Sequence, residues 1–398
     1  MKKILVLGGS DIQIPLVKKI KELGYYVITC DYLPDNPAHK LSDEFYNVSV
    51  IDENKLLDLC NKLKIDAIIP YTSEAAVITS SKVCEKLKLP TNTQNSSEIM
   101  TKKNLFREFL EKNNFKVPKY RVSNEYEIIL NFVNELKRDC VIKPVDSCGS
   151  KGVFKVSYGE NFRNKFDKSI SYSREGNIII EEFIKRKGHQ IGGDGFVRNG
   201  ILEFRCFGDL HFSKNNPFLP CSVSVPSTQP KFILEKVHST VQELLYKVGL
   251  KMGGLNFDII VDENDDIYLI EIAARSGGNM IPELTKYCTD IDIKEFVILS
   301  SLGEDFIIPN KIDEKKYFSH YVIHSNKTGR IKKIEISEKL KKCILEYHMN
   351  YYEGDFVEEY INSTKRLGLM LLKYENLNEM YEIIKNFDKH YKLTFYDE

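Results

Sequence analysis

Residues 255–275 read LNFDIIVDENDDIYLIEIAAR, two apolar runs separated by the polar stretch 262–266. Runs of this kind fold back on each other as an antiparallel β-hairpin. One acid interrupts each run, Asp258 in the first and Glu271 in the second. A two-residue turn at 264–265 and a four-residue turn at 263–266 imply the same register, with Asp258 directly opposite Glu271. Side chains alternate along a strand, so Phe257, Ile259, Val261, Tyr268, Ile270 and Ile272 should share one face. Asn256, Asp258, Ile260, Leu269, Glu271 and Ala273 should share the other, with Arg275 beyond them. Directly opposed residues hold their Cβ atoms about 4.5–5.5 Å apart. Two ionised carboxylates that close repel each other unless one is protonated or a cation lies between them. Hard divalent cations fit such a gap, and Mg²⁺ commonly takes one or two carboxylates together with substrate phosphates. Asp258 and Glu271 are therefore candidate metal ligands. The competing reading is a solvated hairpin face, and Ile260, Leu269 and Ala273 on that face argue against it.

The first hundred residues alternate between strand and helix patterns. Residues 4–7 form a β-rich run ending at Gly8-Gly9, 14–23 have helical spacing, and 25–30 and 65–70 read as further strands. Alternation with short turns implies a doubly wound parallel sheet. The Gly8-Gly9-Ser10 turn lacks the GxGxxG spacing of a dinucleotide site, so Asp31 reads as a turn residue. Ser73-Glu74 follows the 65–70 strand at its carboxyl end, where such sheets bind ligands; site and structural turn are equally good readings. Residues 97–112 read as one amphipathic helix, and Pro118 marks a boundary. Strand patterns at 140–143, 178–181, 193–197, 256–261 and 267–273 and a helix at 232–248 follow. A smaller α+β unit after about 304 has strands near 317–324 and 367–373 and a helix near 378–388. The expected domains are 1–112, 113–304 and 305–398, with a lid at about 120–185.

Lys+Arg and Asp+Glu number 57 each, a balance that argues against a general nucleic-acid binder. The nine cysteines show no CxxC pair and read as reduced thiols. MKKILVLGG lacks a signal-peptide core, and no stretch is long and uncharged enough to span a bilayer. The expectation is a soluble cytoplasmic protein without a membrane partner.

CVIKPVDSCGSKGVFKV places Lys143 at the end of an apolar strand, stopped by Pro144 and followed by a loop with Gly149, Ser150 and Gly152. Glycines let backbone N–H groups approach phosphate oxygens, although GxxxxGK[ST] is absent. IIIEEFIKRKGHQIGGDGFV is an apolar strand running into Glu181-Glu182-Phe183-Ile184, whose end can present backbone groups to a base edge. GDLHFSKNNPFLPCS is a polar loop in which His211 and Lys214 are candidates to reach phosphate or substrate. His320 and His324 share a strand face without a third ligand nearby and read as structural.

Lys143 with its glycine loop, then EEFI, then an acid on each strand of a late hairpin with Arg beyond, resembles the ATP-grasp superfamily. The order and spacing are similar to biotin carboxylase, carbamoyl phosphate synthetase, D-alanine–D-alanine ligase and the bacterial L-amino-acid ligases. The resemblance implies an N-terminal doubly wound parallel sheet, a central ATP-grasp α+β domain with a mobile lid, and a small α+β C-terminal domain. It implies that Lys103, from TKKNLFR, and Lys143 contact the nucleotide phosphates, with Gly149, Ser150 and Gly152 closing over them. Glu181 and the backbone of Phe183 and Ile184 would hold adenine, Gln190 the ribose, and Asp258 and Glu271 one or two Mg²⁺ or Mn²⁺ ions. The family's usual Asn two residues after the second acid is replaced here by Ala273. EIAARSGGNMIPEL is closer to the amino-acid-ligase branch, where Arg275 would steer a carboxylate or acyl phosphate. The implied activity is ATP-dependent, ADP-forming ligation of a small carboxylate to an amine or thiol through an acyl phosphate. Arg275, Lys143 and Glu271 would be its catalytic residues. The alternatives are a carboxyphosphate-forming carboxylase of the biotin carboxylase or aminoimidazole ribonucleotide carboxylase type, a non-catalytic ATP-binding protein, and a small-molecule kinase. Relatives are commonly homodimers.

Overall fold

The computed structural model describes residues 1–309 and 315–396. The chain opens with four parallel strands, β1 (Lys3–Leu7), β2 (Tyr26–Cys30), β3 (Glu44–Tyr46) and β4 (Ala67–Ile69), in the order β3-β2-β1-β4. Both faces of β1 are covered. Ile4 and Val6 pack on Leu16, Val17 and Ile20 of the helix Ile14–Glu22. Leu5 and Leu7 pack on Leu56 and Cys60 of the helix Glu53–Leu63 and on Val83 and Cys84 of the helix Glu74–Leu87. A parallel strand buried on both sides reads as a continuous apolar run, as β1 does.

The helix expected over 97–112 is two helices, Gln94–Thr101 and Lys103–Lys112, meeting at Lys102 with ψ at 119°. Lys103 N–H donates to the Val145 carbonyl at 3.0 Å. That bond moors the start of the second helix to the strand that carries Lys143.

An antiparallel sheet of β5 (Tyr120–Ser123), β6 (Cys140–Pro144), β7 (Phe154–Val156) and β8 (Ile178–Glu182) follows, ordered β5-β8-β6-β7. Ile129, Val133, Phe162 and Phe166 form a core over Ile142, Ile178 and Ile180 on one of its faces.

The central sheet has eight strands. In chain order they include β9 (Gln190–Arg198), β10 (Ile201–Phe212), β11 (Pro220–Val225), β12 (Met252–Val261), β13 (Ile267–Ala273) and β14 (Phe318–Ile323). β15 (Gly329–Ile336), β16 (Ile344–Met349), β17 (Phe356–Val357), β18 (Gly368–Lys373) and β19 (Tyr391–Phe395) follow, and of these β16 and β18 complete the central sheet. The spatial order is β13-β12-β9-β10-β11-β14-β18-β16, while β15, β17 and β19 form a small sheet of their own. The strands read as part of a C-terminal unit thus hydrogen-bond into the central sheet, β14 pairing antiparallel with β11. The helix Lys231–Val248 buries Ile233, Val237, Val241, Leu244 and Leu245 against the sheet. No helix among the described residues is long and apolar enough to cross a membrane.

The hairpin register differs from expectation on its turn side. Asp262 N–H donates to the Asp266 carbonyl at 3.1 Å, which leaves a three-residue loop with Asp265 at φ +61°, a common hairpin connection. A β-bulge then shifts the ladder between Asp258 and Ile259, so Ile259 faces Leu269 while Asp258 still faces Glu271. The extra residue is Ile270. Leu269 consequently joins Ile259, Val261 and Ile267 in the core, and Ile270 turns to the side of the acids. The expected faces of Tyr268, Leu269 and Ile270 are therefore switched.

Candidate active site

Between the β5–β8 sheet and the β12–β13 hairpin lies a cleft of about 380 Å³. Lys103, Lys143, Gly149, Ser150, Glu181, Phe183, Ile184, Gln190, Asp258 and Glu271 all line it. Segments spread over 168 residues in sequence are thus brought to one surface by the break at Lys102, the end of β6, the end of β8 and the bulged hairpin.

The two acids face each other across the hairpin. Burial pushes the Asp258 carboxyl up to about 6, opposed by the hydrogen bond from the Gln190 amide and reinforced by the charge of Glu271. Glu271 shifts the other way: burial acts to raise it, but Lys103, Arg275 and Lys143 together hold it low. Lys103 Nζ sits 3.9 Å from Glu271 and donates to the Ser147 carbonyl at 2.6 Å. Opposed carboxylate oxygens at the edge of a basic cleft form a hard donor set, and a divalent ion that also takes phosphate oxygens fits it. Asn256, beside them, is committed elsewhere: its Nδ2 donates to the Gly193 carbonyl at 3.0 Å and to Asp194 at 2.9 Å.

Glu181 is tied up differently from the adenine role expected of it. Its carboxylate accepts from Arg107 Nε at 2.7 Å and from Lys143 Nζ at 2.5 Å. Burial alone would raise this carboxyl, but the two cations hold it down at about 2. For Lys143, burial outweighs the pull of Glu181 and lowers the ammonium from its ordinary value. Arg107 also donates to the carbonyls of Leu269 and Ile270, at 3.0 and 2.8 Å, locking the bulge in place. Arg107 was not singled out in the sequence. Its signal is its position between Phe106 and Leu110 on the buried stripe of its helix. Phe183 N–H is taken by the Asp139 carbonyl at 2.9 Å and is not free to donate to a base.

The glycine loop lies down over the cleft. Gly149, Ser150 and Gly152 have φ of +68°, +59° and +71°, a succession that glycine tolerates best. Ser150 Oγ donates to the Phe218 carbonyl at 2.8 Å, and Ser363 N–H to the Gly149 carbonyl at 3.3 Å. A Cβ on Gly149 would fall 2.2 Å from Ser363 Oγ. Gly152 packs beside Pro144 and Tyr172, behind the cleft wall.

With Gly152, two further predicted residues lie outside the cleft. Arg275 is half-buried and paired to Glu74 at 3.0 Å; burial and the neighbouring Glu271 raise Glu74, while Arg275 pulls it down. The sequence left Glu74 undecided, and the structure brings it to the edge of the acidic pair. Lys214 lines a different, adjoining cavity, where it pairs with Asp388 at 2.7 Å. That placement corrects its expected contact with the nucleotide: the β10–β11 connection turns Phe218 toward the cleft and Lys214 away from it. Beneath the Gly277-Gly278 turn, Asp194 is fully buried and accepts from Gly277 N–H at 2.9 and 3.0 Å. The buried His320 ring nitrogens have no hydrogen-bond partner among the described residues, and the His324 ring lies 4.7 Å from that of Tyr360, tilted by 31°.

A lid sheet closing over a two-acid hairpin with two cleft lysines defines the class. Residues 136–283 match the ATP-grasp domain family and residues 4–83 the PylC-like N-terminal domain family. The central part of the chain thus carries an ATP-grasp domain, and the domain together with the relatives below indicates an ATP-dependent, ADP-forming ligase-type enzyme. Among curated relatives, the formate-dependent phosphoribosylglycinamide formyltransferase of Prochlorococcus marinus (strain NATL1A) is 27% identical over 383 residues, 95% of this chain and 94% of that protein. The crystal structure of an L-amino acid ligase from Bacillus licheniformis superposes with a TM-score of 0.82 at 18% identity, over 100% of this chain and 99% of that one. The biotin carboxylase domain of the Hydrogenobacter thermophilus 2-oxoglutarate carboxylase, crystallised as a dimer with MgADP, ADP and bicarbonate, superposes with a TM-score of 0.76 at 16% identity, over 99% and 90% of the two chains.

Proposed function

We propose that the protein joins a small, amino-acid-like carboxylate to an amine through an acyl phosphate. The observation that carries this reading is the meeting of Asp258 and Glu271 with Lys103 and Lys143 in one nucleotide-sized cleft beneath a closing glycine loop. Lys103 and Lys143 hold the phosphates, and Glu181 with Arg107 fixes where Lys143 points. Phe183 and Ile184 flank the base and Gln190 bonds a ribose hydroxyl. Asp258 and Glu271 hold Mg²⁺, which when bound neutralises charge on the phosphate oxygens. Phosphoryl transfer asks chiefly for positioning and charge neutralisation, which two lysines and a preorganised loop supply. A substrate carboxylate oxygen attacks the γ-phosphorus and ADP leaves. The amine nitrogen then attacks the acyl carbon, loses a proton, and inorganic phosphate leaves. Gly149, Ser150 and Gly152 keep water from the acyl phosphate, and Arg275 offers a planar fork to the carboxylate. The coenzyme demand is ATP with Mg²⁺, and the expected compartment is the cytoplasm.

An amino-acid-like substrate is favoured by a cavity of about 1050 Å³ beside Gly277 and Gly278. Of its cations, Lys286, Lys294 and Lys315 are paired with Asp292, Glu283 and Asp290 at 2.6–3.0 Å, Arg366 on its margin pairs with Asp11, and Lys18 makes no described ion pair. Such pairing suits a zwitterion better than a phosphate ester. The activity by which the relatives are named supports a second reading, formate as the carboxylate and phosphoribosylglycinamide as the amine. ADP release is to be measured against pools of amino acids and against formate with phosphoribosylglycinamide, with the product weighed by mass spectrometry. Release that needs two amino acids supports the first reading, and release confined to the formate pair overturns it. Glu271→Gln should cut ADP formation by about 10²-fold or more; wild-type turnover at saturating Mg²⁺ would remove Glu271 from the reaction.

A further inference from the structure

The β10–β11 connection faces two cavities. Phe218 lines the nucleotide cleft, His211, Ser213 and Lys214 line a second, adjoining cavity of about 1030 Å³, and Arg186, Phe212 and Pro217 form the wall between the two. Helix Leu377–Lys385 and β19 close its other side. A volume of this order accommodates a nucleotide-sized molecule.

The lining is poised for an anion. Arg186 and Lys327 set their cations over the rings of Phe212 and Phe395, at 4.9 and 4.6 Å, and make no described ion pair. Lys392 adds a third cation. Two acids share the wall, and both are already paired, Asp388 with Lys214 at 2.7 Å and Glu335 with Lys333 at 2.9 Å. Ser213 Oγ is buried without a partner among the described residues. Leaving a buried hydroxyl unmatched costs about 1–3 kcal/mol, which a bound acceptor would recover. His189 and Tyr381, with ring centroids 5.3 Å apart and planes 30° apart, offer a flat aromatic wall.

The cavity is wired to the glycine loop. Ser213 N–H donates to the Leu219 carbonyl at 2.9 Å, closing the connection on itself, and the Phe218 carbonyl within it accepts from Ser150 Oγ at 2.8 Å. A ligand that fixes Ser213 therefore steadies the carbonyl on which the glycine loop docks. We propose that this second cavity binds a ring-bearing phosphate monoester and that its occupancy favours closure of the glycine loop. The proposal rests on the reading that this loop closes over nucleotide. Coupling between two sites is reciprocal, so a ligand that favours closure also tightens nucleotide binding.

The test uses full-length protein saturated with MgADP, which occupies the cleft, and calorimetric titration with each of the four ribonucleoside monophosphates. A second saturable binding event is expected with at least one of them, weakened tenfold or more in Lys327→Ala and in Lys392→Ala. Both are exposed lysines, and thermal melting should show each variant folded. The effective monophosphate should also tighten MgADP binding several-fold in the wild type. No second event with any of the four, or an event untouched by both substitutions, overturns the proposal. Failure of MgADP itself to bind would instead sink the nucleotide reading, so the two failures are distinguishable.

Discussion

The guanidinium of Arg107, 1% exposed, serves three acceptors at once: the Glu181 carboxylate and the carbonyls of Leu269 and Ile270. Removing one member of a buried ion pair costs about 3–5 kcal/mol, because the partner's charge stays behind. Arg107→Met should lose stability of that order in chemical denaturation, and it should weaken ATP binding because Glu181 then pulls on Lys143 alone. A melting point and ATP affinity equal to wild type would show that the clamp is idle. Asp194 makes a second prediction. Burial, only partly offset by the Asn256 and Gly277 hydrogen bonds, raises its carboxyl to about 7 from an ordinary value of 3.8. Between those values the folded chain keeps a proton that the unfolded chain has lost, so this residue's contribution to stability falls as pH rises through the window. The full effect is up to roughly 4 kcal/mol. Asp194→Asn keeps an acceptor for Gly277 N–H and has no proton to lose. Its stability relative to wild type should rise from pH 4 to 8, and parallel curves would refute the assignment. Neither residue was singled out in the sequence, since a lone Arg in an amphipathic helix and an Asp between glycines both resemble ordinary surface residues.

At the scale of elements, the hairpin shows what pattern reading captures and where it slips. The opposition of Asp258 and Glu271 was legible because apolar runs and a polar turn limit the register to few choices. The loop is nevertheless one residue off, three residues with Asp265 in a left-handed conformation, and the bulge at Ile270 restores the match at the acids. Two departures cancel where the chemistry sits and leave Tyr268, Leu269 and Ile270 switched between faces. Nothing in IYLIEIA marks a bulge, because either of two neighbouring apolar residues can face the core. The helix over 97–112 failed differently. Its apolar spacing runs through Lys102, and the break is made by a tertiary bond from Lys103 N–H to Val145 that local sequence does not encode. β10 was missed although Leu202, Phe204 and Cys206 are buried in strict alternation with Glu203 and Arg205. There the period-two signal was present and unread.

For the molecule as a whole, the parallel N-terminal sheet, the lid and the hairpin were all foreseeable from sequence. The membership of β14, β16 and β18 in the central sheet was not, because strand pairing across a long insertion leaves no local trace. That membership makes a last prediction. A chain ended after residue 304 would strip β14 from β11 and leave CSVSV as an open, apolar edge, the kind that recruits other strands. The truncated protein should collect in the insoluble fraction, and a soluble monomer of wild-type melting point would contradict the pairing. The same order, β13-β12-β9-β10-β11-β14-β18-β16, also bears on biosynthesis. The ribosome completes the candidate cleft's own strands, which end at Ala273, before it makes β14 (Phe318–Ile323), the strand that seals the edge of their sheet. The nascent chain therefore carries a finished catalytic surface beside a raw seam, and its yield in a cell should depend on holdase chaperones until the last third emerges.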